Sequence, residues 1–256
     1  MKIKILPLLL LLMLTNSLGA KILLPEIMSD NMVLQQNTKV NLWGKSDPGK
    51  TVEIRPSWTS EITKVKVDAK GNWIASVATP AASFTPYTIS FSDGEKLTLK
   101  NILIGEVWLA SGQSNMEMPL NGFWNNPILK ANETIAMAGQ NKGMRFVTIP
   151  KTAAMTPQET VKGTWKECNS ENAPWFSATA YHFAQMLYRT LNVPVGIVVC
   201  SWGGSRVESW TSRDILETYP DIDLSEKGIQ DMAEWTRPLL MYNGMLKPVS
   251  HYTIKG

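Results

Sequence analysis

The sequence is poor in the residues that build metal centres and disulfide scaffolds. Only two of its 256 residues are histidines, and neither has a second metal-ligating residue at helical or loop spacing. We therefore expect no metal site. The two cysteines, Cys168 and Cys200, are too few for a disulfide-rich scaffold. Cys200 closes an apolar run, which favours a buried thiol, although oxidation after export would also allow the pair to join.

Charge is also scarce, at 18% of residues, with a formal net charge of +3. Residues 1–20 combine a basic start (Lys2 and Lys4), an apolar stretch over 5–14 and small residues up to Ala20. This pattern predicts a cleaved signal peptide and an exported protein, periplasmic or secreted. Its removal lowers the net charge to +1, because it holds two lysines and no acidic residue. No basic stripe then suggests a nucleic-acid partner, and no run is long enough to span a membrane.

Residues 21–102 show the pattern of a small antiparallel β-sandwich. Short alternating runs are separated by turn residues such as Asp47-Pro48-Gly49 and Ser92-Asp93-Gly94. The predicted strands cover residues 32–34, 40–43, 51–54, 64–67, 73–77 and 87–91.

One motif in this region is misleading. Residues 44–51, GKSDPGKT, match the phosphate-binding pattern G-x-x-x-x-G-K-[ST]. That mechanism needs a helix after the lysine, whereas residues 51–55 alternate like a strand and Pro56 follows. We interpret the motif as a hairpin turn at Asp47-Pro48-Gly49 and expect no nucleotide site.

Residues 103–256 change to an α/β pattern. Residues 104–111 and 195–200 are apolar runs typical of strands buried on both faces, and residues 178–191 carry helical periodicity after the potential cap Ser177. Helix, apolar strand and glycine turn in succession predict a parallel sheet. Ligands bind beyond the carboxyl ends of such strands, where Ser114 and Gly203-Gly204 would both lie.

Ser114 has two interpretations from its surroundings alone. As a nucleophile it would stand at the start of a helix, exposed and surrounded by backbone N–H groups. As a helix cap it would form a capping box with Glu117, three residues later. An α/β-hydrolase elbow is disfavoured, because Met116 stands where that fold needs glycine.

Gly203 and Gly204 also allow two interpretations, a tight turn or a backbone amide presented to an oxyanion. The flanking Trp202 and Trp210 are the tryptophans we expect to stack on a sugar ring. Neither histidine shows a catalytic context; His182 lies beside the apolar stripe of a predicted helix.

Three blocks of the sequence resemble the sialate O-acetylesterase family of SGNH-type hydrolases. They are GEVWLASGQSNMEM at 105–118, SWGGS with ESWTS over 201–212, and YNGMLKP at 242–248. The N-terminal part matches as well, from residues 30–35 to the DPG turn. The resemblance implies a partial SGNH-type (flavodoxin-like) three-layer α/β domain over 103–256 after the sandwich, and it favours Ser114 as nucleophile.

The implied reaction removes O-acetyl groups from sialic acid or related sugars without a cofactor. An O-acetylated sugar or sialoglycan is the implied partner, with Ser114, Gly203 and Gly204 as oxyanion donors. Gln113, Asn115, Trp202 and Trp210 would bind substrate. The family's later glutamine block and its Asp-x-x-His base have no counterpart here, since Thr179 precedes His182 by three residues and Pro248 precedes His251. We therefore expect an N-terminal portion with no general base and little unaided catalysis.

Two other functions remain open from the sequence. One is a glycan-binding or inactive truncated product, in which the sandwich or the tryptophans bind sugar without chemistry. The other is deacetylation of xylan or another polysaccharide, since no residue names the sugar. The sequence gives no indication of oligomeric state.

Overall fold

The structure, a computed structural model, describes residues 22–256. The predicted signal peptide lies outside the described residues. No helix within them is long and apolar enough to cross a membrane. The strands are β1 Val33–Gln35, β2 Lys39–Lys45, β3 Thr51–Pro56, β4 Thr63–Lys66, β5 Asn72–Ala78, β6 Ser83–Ser92, β7 Lys96–Gly112, β8 Met144–Thr148, β9 Lys166–Glu167 and β10 Val195–Ser201. The α-helices are α1 Ser114–Glu117, α2 Ala131–Ala136, α3 Ala178–Leu191, α4 Arg213–Leu216 and α5 Glu226–Gln230.

Strand β7 belongs to both regions of the chain. Its first half pairs antiparallel with β6, and its second half pairs parallel with β10. Between them, residues 103–105 pair parallel with β1. The large sheet therefore runs in the order β4-β3-β6-β7-β10-β8-β9. The boundary expected near residue 102 falls inside this 17-residue strand, so one continuous backbone links the β-rich part to the α/β part.

The β-rich part follows the predicted alternation. Strands β2 and β5 form a two-stranded antiparallel sheet; buried residues alternate along β5, whereas β2 alternates only as far as Leu42 and then buries Trp43 and Gly44 as well. The turn at residues 47–50 is followed by strand β3 rather than a helix, as expected. The hairpin interpretation was wrong, because β2 pairs with β5 whereas β3 pairs with β4 and β6. The turn joins strands of two different sheets.

The α/β part has the expected three layers. Every residue of β10 is buried. Val195, Ile197 and Val199 pack in the cluster that includes α3 residues, whereas Val198 and Cys200 pack in the cluster that includes residues 239–241. The predicted helix is confirmed as α3, with the Ser177 hydroxyl accepting from Ala180 N at 3.2 Å. Alternate side chains of one buried strand thus supply both cores.

Arg145 on β8 ties the sheet to the β-rich part. It is 2% exposed, and its guanidinium donates to the carbonyls of Asn31 and Asn101, at 2.9 Å for Asn31, and lies 3.5 Å from Glu167 Oε1. Burial lowers the pKa of Arg145 to about 10, so the group stays charged at neutral pH. Asn31 and Asn101 both have positive φ, which turns their carbonyls toward this one donor.

Residues 255–256 run beside β7 and hydrogen-bond to Val107 and Leu109. Lys255 N donates to Val107 O at 2.6 Å, and Leu109 N donates to Gly256 O at 2.9 Å. Tyr252 anchors this segment by donating its hydroxyl to Val33 O at 2.8 Å.

Cys168 and Cys200 are both free and buried, and they pack in the two clusters on opposite faces of the sheet. A disulfide between them is therefore excluded. Burial raises the pKa of each thiol from 9.0 to about 12.

We expect both thiols to resist a thiol reagent at pH 8 in the folded protein and to react after denaturation. Because the unfolded thiols ionise near pH 9 and the folded ones near 12, the free energy of unfolding should fall as the pH rises above about 9. Titration with a chromogenic disulfide, with and without urea, measures the first effect. Rapid reaction of either thiol in the native protein would contradict the burial.

Substituting Arg145→Met should lower the free energy of unfolding by about 3 kcal/mol, because buried carbonyls lose their charged donor. The measurement is urea unfolding. The matched control is Arg213→Met, whose ion pair with Glu217 is exposed (51% and 59%) and should change stability by less than about 0.5 kcal/mol. Equal stabilities of the two variants would contradict the proposed importance of Arg145.

Candidate active site

The parallel pairing of β7 and β10 creates the site. Cys200 is opposite Ser111 and Ser201 is opposite Gly112, so both strands end at the same edge. Gly112 has a φ of +143°, a conformation that side-chain-bearing residues rarely adopt. The chain turns there, and α1 starts two residues later. Trp202 N donates to Gly112 O at 3.0 Å and continues the pairing past the strands.

Ser114 is the first residue of α1 rather than its cap. The cap is Gln113, whose Oε1 accepts from Ser114 N at 3.1 Å and from Ser114 Oγ at 3.1 Å. The capping-box interpretation was wrong, because the Glu117 carboxylate points to another part of the chain instead of returning to the cap. The hydroxyl of Ser114 is half-buried and is not needed to begin the helix.

The structure places Gly203 directly against Ser114. A methyl group at Gly203 would lie 3.2 Å from Ser114 Oγ and 3.1 Å from Glu117 Oε2. Glycine therefore permits a close approach of the turn after β10, residues 202–205, to the serine. We call this segment the Gly203 turn.

Glu117 and Lys151 complete a polar connection that sequence reasoning missed. Glu117 Oε2 accepts a hydrogen bond from Gly203 N, and Glu117 Oε1 lies 2.6 Å from Lys151 Nζ. The Lys151 ammonium also lies 5.7 Å from the centre of the Trp202 ring. Glu117 had been explained by helix capping, and nothing near Lys151 marked it. Its position follows from β8, which ends beside β10 at the same edge.

The YNGM segment, residues 242–245, holds the loop that carries Lys151. Asn243 Nδ2 donates to Ala154 O at 3.1 Å and to Met155 O at 3.0 Å. A methyl group at Gly244 would lie 2.1 Å from Thr152 O, so only glycine allows this approach. Together these contacts hold residues 150–155, the Lys151 loop, against the π-helix Tyr242–Leu246.

Gly204 is exposed and faces Trp235. Its φ is +78°, and a methyl group there would lie 3.0 Å from Trp235 Cδ1. The Trp235 side chain is 46% exposed at this edge. Trp210 is held differently, with Nε1 donating to Ser205 Oγ at 2.8 Å and its ring packed on the core. Trp202 is likewise half-buried against the core, so the structure adds Trp235 as the more exposed aromatic side chain at the Gly203 turn, which no sequence spacing indicated.

The other predicted residues are also located. Gln113 and Asn115 are exposed at the start of α1, and the Asn115 carbonyl accepts from Thr179 Oγ1 at 2.8 Å. His182 is exposed on α3, and the His251 ring lies 5.6 Å from that of Trp43 in the β-rich part. Within residues 22–256 neither histidine is hydrogen-bonded to Ser114, whose hydroxyl proton faces an amide oxygen.

Comparison with known proteins finds similar carbohydrate esterases. No family model matches the chain. Sialate O-acetylesterases from Pongo abelii and Homo sapiens are 27% and 26% identical to it over 260 residues, which are 94% of this chain and 48% of each relative. A crystal structure of a carbohydrate acetylesterase from Xanthomonas citri superposes with a TM-score of 0.79 and 32% identity, covering 92% of this chain and 50% of that one.

The chain resembles the sialate O-acetylesterase family over nearly all of its length. It spans about half the length of the curated relatives that it matches. The superposition agrees with the expected fold, an SGNH-type α/β part preceded by a small antiparallel sheet. The Ser114 and Gly203 segments lie in two of the three blocks by which the sequence resembles sialate O-acetylesterases, and the YNGM segment lies in the third.

We expect Gly203→Ala to slow the reaction of Ser114 with a fluorophosphonate by about tenfold or more, because its methyl group displaces the serine side chain. The backbone at Gly203 does not have positive φ, so thermal stability should stay near the native value. Gly204→Ala is the contrasting variant. Its φ of +78° should make it lose about 1 kcal/mol of stability. Unchanged labelling of Gly203→Ala would argue against the close packing.

Proposed function

We propose that this chain carries the nucleophile-bearing part of a carbohydrate esterase that removes O-acetyl groups from sialic acid or a related sugar. The observation that supports this most is the position of Ser114 beside Gly203 at the carboxyl edge of parallel strands, in a chain that resembles sialate O-acetylesterases over 94% of its length. A ligand bound beyond this edge would meet Ser114, the first helical amides and the Gly203 turn together.

In the proposed reaction, Ser114 Oγ attacks the acetyl carbonyl carbon and gives its proton to a base. The carbonyl oxygen becomes an oxyanion, the sugar oxygen leaves with a proton, and water then hydrolyses the acetyl-serine. We assign the oxyanion donors as Ser114 N–H and the N–H of Gly203 or Gly204. Each such donor typically contributes about 3 kcal/mol of transition-state stabilisation.

Two of these amides are already hydrogen-bonded. Ser114 N donates to Gln113 Oε1 and Gly203 N donates to Glu117 Oε2. Gly204 N has no acceptor among residues 22–256, so it is the amide of the Gly203 turn that is free to receive an oxyanion. We therefore favour Ser114 and Gly204 as the pair of donors and expect the substrate oxygen to displace Gln113.

Sugar binding is assigned to the exposed groups around the serine. Trp235 at Gly204 and the half-buried Trp202 offer aromatic surface at the Gly203 turn, and Gln113 and Asn115 offer amide groups. Aromatic faces bind the apolar faces of sugar rings, and amides bind hydroxyl groups. These features suit any acetylated sugar, so xylan and other acetylated polysaccharides are included among the substrates to test. The leader sequence favours action outside the cytoplasm.

The 256-residue polypeptide should hydrolyse p-nitrophenyl acetate slowly. A serine without a base is a weak nucleophile, and the Ser114 hydroxyl faces an amide oxygen that is too weak a base to remove its proton. We expect slow but site-specific labelling by a fluorophosphonate, located at Ser114 by peptide mass mapping and absent in Ser114→Ala. Trp235→Ala should keep the labelling and weaken binding of an acetylated sugar.

Ser111→Ala is the matched control, because Ser111 lies three residues away on β7 and is not in α1. Rapid turnover that disappears in Ser114→Ala would show that the chain already contains its base. Glycan binding that survives Ser114→Ala, without any fluorophosphonate labelling of the native protein, would support a binding protein instead of an esterase.

A further inference from the structure

The polar connection at the site joins the segments that follow three neighbouring strands. Glu117 lies on α1 after β7, Gly203 follows β10, and Lys151 follows β8. The Glu117 carboxylate uses one oxygen for the Gly203 amide and the other for the Lys151 ammonium, 2.6 Å away. Because the strands end at one sheet edge, a single side chain is able to bridge all three segments.

We propose that Glu117, anchored by Lys151, is a positioning residue that fixes the Gly203 turn against Ser114. This inference rests on the proposed function, since the position of the turn affects catalysis only if Ser114 is the nucleophile. Glu117 orients the peptide between Trp202 and Gly203 by accepting its N–H. The next amide, that of Gly204, then keeps one direction relative to the serine.

The exposure of the charges supports orientation rather than stability as the role. The Lys151 side chain is 47% exposed and that of Glu117 is 23% exposed. Ion pairs this open to solvent contribute little to folding. A hydrogen bond from an amide to a carboxylate is shorter and stronger than one to a neutral acceptor. The main effect of this contact is therefore to hold the Gly203 turn in one conformation.

Lys151 has a second effect, which is electrostatic. An unpaired carboxylate beside Ser114 would repel the negative charge that forms on the substrate oxygen. The ammonium neutralises that carboxylate, while its contact with the Trp202 ring and the packing of the Lys151 loop by Asn243 limit where it lies. Glu117 can thus hold the amide without opposing the oxyanion.

The opposite role for the same contact is a block, in which Glu117 occupies an amide that the substrate oxygen needs. The two roles predict opposite effects of removing the carboxylate. Positioning predicts a slower reaction of Ser114, and a block predicts a faster one.

The experiment compares Glu117→Ala, Glu117→Gln and Lys151→Met in the full 256-residue chain. The first measurement is the amide resonance of Gly203 in spectra of glycine-labelled protein. The second is the second-order rate of fluorophosphonate labelling at Ser114. The matched controls are Glu159→Gln and Lys162→Met. Both residues are exposed, follow the Lys151 loop in the segment between β8 and β9, and form no ion pair with any residue of 22–256.

We expect the Gly203 amide proton to move upfield in Glu117→Ala and less in Glu117→Gln, which keeps an acceptor oxygen. Labelling should slow about tenfold in Glu117→Ala, recover substantially in Glu117→Gln and be slower than native in Lys151→Met. The controls should match the native protein in both measurements. A native-like midpoint of thermal unfolding is expected for Glu117→Ala as well as for Glu117→Gln, and it separates loss of position from loss of fold.

Three results would overturn the inference. An unchanged Gly203 resonance in Glu117→Ala would show that the contact is not formed. Faster labelling in Glu117→Ala would show that Glu117 blocks the site. If native protein and every variant remain unlabelled while the Gly203 resonance responds as expected, the contact exists but the nucleophile assignment fails, and the catalytic role of Glu117 fails with it.

Discussion

The parallel hydrogen bonding between β7 and β10 is the constraint on which the rest of the site depends. It brings Gly112 beside Ser201, and every later contact of Ser114 with the Gly203 turn follows from that register. A slip of one residue would reverse the side chains of β10 between the two cores. Seven fully buried residues, packed alternately on both faces, make such a slip costly. The packing of the core therefore determines the register of β10 against β7, and with it which residues meet at the site.

Strand β7 extends this constraint beyond the α/β part. Its first half is an ordinary strand of the β-rich region, and Arg145 adds charged hydrogen bonds across the junction. The β-rich region is thus joined to the site through a continuous backbone and a buried cation rather than through a loose linker.

Much of the architecture was predictable because it is encoded locally. The alternation of β3 and β5, the helix α3 with its Ser177 cap, and the apolar run of β10 each arise from patterns within a few residues. The family resemblance then connected the separate blocks. The errors came where a local motif had a nonlocal explanation: Glu117 suggested a cap and contacts Gly203, and the DPG turn suggested a hairpin and joins two sheets.

The sequence by itself determined the class of fold, the strand ends where chemistry is expected, and Ser114 as the residue to test. Only the tertiary structure decided that Glu117 contacts Gly203 and Lys151, that Trp235 faces Gly204, and that the two cysteines are on opposite faces of the sheet. The physical reason is the separation along the sequence between the residues in contact. Periodicity and capping act over a few residues, whereas the contacts of Glu117 and of Trp235 join residues 31 to 86 positions apart and depend on which strands are neighbours.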